Sequence, residues 1–125
     1  MRYFGYKLDK DGITSGQDVE DTVSIDSDSD FECMMLTVTF TDTALADLAG
    51  WCGINIKDST SGSEWWSGKV RLDHLMDSQK RAFVLPQPVR IGGGGTVTVK
   101  IKNNHASTTG NFKICLHGVK IPRGR

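Results

Sequence analysis

The sequence predicts an all-β protein: an antiparallel β sandwich of about eight strands with little helix. Three observations carry this expectation: strictly alternating apolar and polar runs, short Gly-, Asp- and Ser-rich stretches between them, and fourteen glycines with few helix-period segments. The clearest run is residues 96–102 (TVTVKIK). Val97, Val99 and Ile101 fall on one face and Thr96, Thr98, Lys100 and Lys102 on the other, the mark of a strand with one buried side. From Asn111 the period resumes, with Phe112, Ile114, Leu116 and Gly118 on one face and Lys113, Cys115 and His117 opposite. Residues 103–110 between these runs are small or polar apart from His105 and Ala106. They read as a wide hairpin loop, so the two strands are expected to pair.

The remaining elements follow in chain order. Tyr3, Phe4 and Tyr6 place three aromatics in six residues, more than a frayed terminus carries. Residues 1–12 read either as an edge strand packed on its own sandwich or as an arm that docks on a neighbouring subunit. Residues 17–25 alternate with Val19, Asp21, Val23 and Ile25 on one side, and the misfit at Asp21 suggests a bulge or a strand beginning near Thr22. Residues 26–30 (DSDSD) resemble the opening of an EF-hand loop, but Phe31 stands at its sixth position, where Gly is required, and Thr37 at its twelfth, where Glu is required. A solvated turn is expected there, and no metal site. Residues 31–40 (FECMMLTVTF) predict a central strand with Met34, Leu36, Val38 and Phe40 on one face and Phe31, Cys33 and Met35 on the other.

Residues 43–49 (TALADLA) are a helix-like fragment, one turn or a loop. A strand over residues 51–57 and a loop over 58–62 come next. Trp65 and Trp66 are adjacent, and adjacent residues on a strand point to opposite faces. One ring at most would serve as a sugar platform and the other would be core, with packing the preferred reading of both. Residues 69–76 alternate with Val70 and Leu72 inward, then lose their period and enter a polar connection over 77–81. Pro86 and Pro88 deny a backbone donor at two alternate positions, so their segment is an edge strand or extended crossover. Gly92, Gly93, Gly94 and Gly95 precede a strand rather than the Gly-Lys-Ser/Thr and helix of a phosphate cradle, and read as a tight turn. Arg123 and Arg125 form a short basic tail after Pro122.

Composition narrows the function classes. With 38% hydrophobic and 24% charged residues in 125, the chain has the apolar content of one folded domain rather than of a disordered segment. No stretch approaches the ~20 apolar residues of a membrane span. No signal-peptide core opens the sequence, so synthesis in the cytoplasm is expected. Cys33, Cys52 and Cys115 are widely spaced and odd in number, which points to reduced thiols rather than a disulfide framework or zinc site. Cys115 and His117 share a strand face, yet no third orienting group or oxyanion turn accompanies them, and His74 and His105 lack acidic partners at ligand spacing. No catalytic set and no cofactor site is expected. Residues 1–62 carry Arg2, Lys7, Lys10 and Lys57 against twelve acids, whereas residues 63–125 carry eleven bases against Glu64, Asp73 and Asp77. A fold that interleaves its halves would cancel part of this asymmetry, and what remains would favour a charged neighbour, a second copy included. The bases are not interleaved with stacking aromatics, so no nucleic-acid partner is expected.

The last third of the chain also resembles a group of small structural proteins of tailed bacteriophages. The likeness lies in Phe83, Leu85, Pro86, Pro88 and Ile91, the glycines at 92–95, Thr96, Val97, Thr98 and Val99, Asn103 and Asn104, and the closing Leu116, His117, Gly118 and Lys120, and it extends loosely to residues 25–40. The resemblance implies a β sandwich of jelly-roll type, and the chain length fits one such domain over residues 1–125. The resemblance also implies a non-enzymatic role as a capsid cement or decoration protein on the outer surface of the head. The implied partners are the major capsid protein and further copies of the chain, as a dimer or trimer. Tyr3, Phe4, Tyr6, Arg123 and Arg125 are the candidate contacts. A carbohydrate-binding, neck, tail or fibre component of the virion is the alternative.

Overall fold

The computed structural model describes residues 2–75 and 82–122. Among them run eight strands: β1 (Arg2–Ile13), β2 (Asp18–Ser24), β3 (Ser29–Thr41), β4 (Cys52–Asp58), β5 (Val70–Arg71), β6 (Ala82–Ile91), β7 (Thr96–Asn103) and β8 (Gly110–Pro122). A 3-10 turn, Ala49–Trp51, and one helical turn, α1 (Leu72–Leu75), are the helical elements. The strands form two antiparallel sheets ordered β1-β8-β3-β6 and β2-β7-β4-β5. Pairing is nested, first with last, second with seventh, third with sixth and fourth with fifth, which is a long hairpin rolled into a jelly roll. The expected antiparallel sandwich is therefore what the chain forms.

The expected pairing of residues 96–102 with the strand from Asn111 does not occur. β7 is flanked by β2 and β4, and β8 by β1 and β3, so residues 104–109 carry the chain from one sheet to the other. Asn103, fully buried, holds that crossover: its Nδ2 donates to the carbonyls of Ile13 at 2.9 Å and Thr108 at 2.8 Å, and its Oδ1 accepts from His105 N at 2.9 Å. Alternation reports which face of a strand is apolar and says nothing of which neighbour lies beside it.

The core lies between the sheets and is built from the inward positions that alternation marks. Val97, Val99 and Ile101 of β7 face Phe112, Ile114 and Leu116 of β8, all buried. On β3 the faces differ from expectation. Cys33 stands opposite Gly118 and Met35 opposite His117, so Met34 is an extra residue in a bulge. The bulge resets the alternation, placing Phe31 and Cys33 in the same core as Leu36, Val38 and Phe40 and turning Met34 outward, 42% exposed. Gly118 permits it, because the Glu32 carbonyl occupies the place a Cβ on Gly118 would take.

Two smaller expectations are corrected, and of the two readings of residues 43–49 the loop is the one formed up to Leu48. β2 begins at Asp18 and holds unbroken register with β7 through Ser24, so Asp21 causes neither a bulge nor a late start. Residues 43–48 contain no helical turn; the 3-10 turn begins only at Ala49, and the Asp42 side chain accepts from the amides of Ala44 and Ala46 in the loop before it. The strand expected over residues 69–76 is two residues long before α1 replaces it, with Leu72 buried. Residues 76–81 and the tail with Arg123 and Arg125 lie outside the described residues.

The roll also answers the charge asymmetry. Acidic β2 lies along basic β7, with Asp18 opposite Lys102 and Glu20 opposite Lys100. Ion pairs join Asp18 to Lys69 at 3.0 Å, Asp30 to Arg90 at 3.1 Å and Asp26 to Lys120 at 2.6 Å, each uniting an acid of the first half with a base of the second.

Candidate binding surfaces

β1 is an edge strand whose ladder partner is β8, and its residues alternate between the core side and solvent. Tyr3 points outward and is 64% exposed. Its hydroxyl lies 2.7 Å from His117 Nδ1, and His117 Nε2 lies 2.8 Å from the Thr37 hydroxyl, so one line of side chains crosses β1, β8 and β3. Phe4 and Tyr6 take the other face. Tyr6 is buried and its hydroxyl accepts from the Asp26 amide at 3.1 Å, while Phe4 is half-buried with its ring centroid 4.0 Å from Lys120 Nζ. Of the three aromatics considered for docking, Tyr3 is the one the fold presents to solvent.

Several groups with nucleophilic or metal-ligating chemistry are buried or committed to other partners. Burial pushes the thiols of Cys33 and Cys52 up to about 12, and burial also raises that of Cys115. Cys115 and His117 do share the outward face of β8, but the two ring nitrogens of His117 are engaged by Tyr3 and Thr37. In the DSDSD turn, Asp26 binds Lys120, and Asp30 binds Arg90 and the Gly93 amide. Among the described residues no three His, Cys, Asp or Glu side chains cluster to hold a metal ion, and no helix is long and apolar enough to cross a membrane.

A concavity lined by aromatic side chains lies at the open side of the roll, where β6 is the edge of one sheet and β5 of the other. Its first wall follows β4. Asn55 is buried, and its Nδ2 donates to Glu64 Oε1 at 3.0 Å and to the Trp66 carbonyl at 3.3 Å, while its Oδ1 accepts from the Trp66 amide at 3.3 Å. The Trp65 amide donates to the Ile56 carbonyl at 2.8 Å. These bonds lay residues 64–66 along β4 with one isolated bridge and no strand, so the alternation argument for the two tryptophans fails. Both rings line the same cleft, their centroids 6.2 Å apart at 61°. Serine and glycine flank the pair on each side (SGSEWWSG), a loop signature that pointed away from a strand.

The second wall is β6. Val89 stands opposite Cys33 and Val84 opposite Met35, so Leu85, Pro86, Gln87 and Pro88 arch out of the ladder opposite the Met34 bulge. The two prolines, expected on an edge strand or an extended crossover, lie on an edge strand. Phe83 reaches the Trp66 ring at 6.4 Å between centroids, and the cleft between the walls has a volume of about 380 Å3. Trp51 is separate, 48% exposed and edge-on to His105 at 5.0 Å.

No family model matches this chain, and no curated protein sequence matches it significantly. Solved structures are similar to it. A chain in the acidic stable capsid structure of Helicobacter pylori bacteriophage KHP30 superposes with a TM-score of 0.51 at 9% identity, covering 100% of this chain and 95% of that one. A chain in the capsid asymmetric unit of cyanophage Pam1 superposes with a TM-score of 0.52 at 14% identity, covering 97% of this chain and 84% of that one. At such identities the likeness shows a shared fold.

Proposed function

We propose that this protein is a structural component of a tailed-phage virion, a cement protein seated on the outer surface of the head after synthesis in the host cytoplasm. One observation carries the reading: the jelly roll superposes over nearly its whole length on two phage capsid chains, of which 95% and 84% are matched in return. The likeness is thus to small entire chains rather than to one part of a large shell-forming protein, which suits an accessory role. The action would be binding alone. Copies would associate as a dimer or trimer about a local symmetry axis and grip the major capsid protein, and repetition over the lattice would multiply modest contacts. Tyr3, at the exposed edge, and the basic tail with Arg123 and Arg125 are the proposed contacts, with Phe4 and Tyr6 shaping the strand from beneath. A neck, tail or fibre position would use the same fold at lower copy number.

The test is light-scattering mass of the purified protein, followed by density-gradient sedimentation with expanded capsids of the same phage. Co-sedimentation at hundreds of copies per shell is the outcome this reading requires. Binding at a few copies would move the protein to the neck or tail, and no binding to heads or tails would overturn the reading.

A further inference from the structure

We propose that the cleft between residues 64–66 and β6 is a carbohydrate site for a short neutral saccharide. This inference stands apart from the virion reading, since it rests on side-chain chemistry alone. The cleft volume of about 380 Å3 falls at the small end of the range for small-molecule sites, roughly 300–1,000 Å3. It has room for a short saccharide.

Its lining has two chemistries side by side. Trp65, Trp66 and Phe83 supply tilted aromatic faces, half-buried against the core, of the kind on which the C–H faces of a pyranose pack. Glu64 and Gln87 supply polar groups on the same walls. Asn55 holds one Glu64 oxygen and Lys100 Nζ lies 3.8 Å from that oxygen, so the carboxylate is oriented in advance. An ionised carboxylate offers about four acceptor positions, which leaves capacity for sugar hydroxyls. Gln87 adds an amide donor and acceptor from an arch stiffened by a proline on either side. A purely apolar ligand would desolvate Glu64 and Gln87 without replacing their hydrogen bonds, which is costly. A ligand with one apolar face and a rim of hydroxyls satisfies both walls. The Glu64 charge favours neutral over acidic sugars.

The experiment uses the intact protein, with a glycan array of neutral glucose, galactose, mannose and N-acetylglucosamine oligomers to choose the probe. The best binder is then titrated while the three indole N–H resonances are followed by NMR. The signals of Trp65 and Trp66 are expected to shift with a Kd of about 1 mM or below, while Trp51, outside the cleft, stays fixed as an internal control. Because truncating either cleft tryptophan also strips core packing, the decisive variants are Gln87→Ala and Glu64→Gln. Each should weaken binding about tenfold or more while thermal melting stays near that of the parent. Silence across the array would overturn the proposal. So would equal shifts at Trp51, parental affinity in both variants, or displacement of the sugar by a proline-rich peptide that binds more tightly.

Discussion

Lys120 Nζ lies 2.6 Å from Asp26 Oδ2, tying the last strand to the turn between β2 and β3. Lys120 as a residue is 9% exposed, and its ammonium has the Phe4 ring 4.0 Å away and the Tyr6 ring 6.0 Å away, so cation–π attraction adds to the ion pair. The Lys120 hydrogen bond holds the Asp26 carboxyl below its ordinary 3.8, and the same bond raises Lys120 above 10.5. Asp26 therefore contributes stability that is present above its unfolded pKa and lost as pH falls through the lower folded value. Lys120 contributes stability that is present below its unfolded pKa and lost as pH rises through the higher folded value.

Asp26→Asn should accordingly melt below the parent at neutral pH, and the gap should close as pH falls below the range in which Asp26 ionises. Melting curves from neutral to strongly acid pH would check this. A gap that stays constant with pH would show that the pair does not contribute through charge.

Gly118→Ala should destabilise strongly, by about 1–3 kcal/mol or more, because overpacking here meets main chain rather than a movable side chain. The added Cβ would collide with the Glu32 carbonyl at the β3 bulge. Denaturant unfolding of this variant beside Gly68→Ala, where a Cβ meets open space, separates the clash from the general effect of replacing glycine.

Asn103→Ala removes both donors that hold the crossover from β7 to β8 and leaves the Ile13 and Thr108 carbonyls without that partner. A loss of about 1–3 kcal/mol is expected for each group left buried and unsatisfied. Amide exchange should quicken first across residues 103–110, and unchanged protection there would refute the structural role assigned to Asn103.

The two buried thiols, Cys33 and Cys52, should be inert in the native protein. With Cys33 and Cys52 pushed up to about 12 by burial, alkylation near pH 8 should leave both unmodified, and Cys115, also raised, should react more slowly than a free thiol. Mass spectrometry after native and denatured labelling would show the contrast. Rapid native modification of Cys33 would contradict the packing of β3.

Local pattern alone determined the fold class, most strand positions and most of the core, because burial on one face of a strand imposes a two-residue period. Val97, Val99, Ile101, Phe112, Ile114 and Leu116 were legible in this way, and the two prolines of β6 marked an edge because proline cannot donate to a ladder. Strand partnership was decided by tertiary structure. β7 and β8 are consecutive and similarly patterned, yet they belong to opposite sheets, and nothing within either strand specifies its neighbour. The β3 bulge was equally hidden: it depends on Gly118, far away in sequence, yielding space to the Glu32 carbonyl. So was the cleft. Trp65 and Trp66 share one side because the buried Asn55 fastens the loop that follows β4 back along that strand and ends the alternation, and β6 supplies the facing wall only once the chain has rolled up.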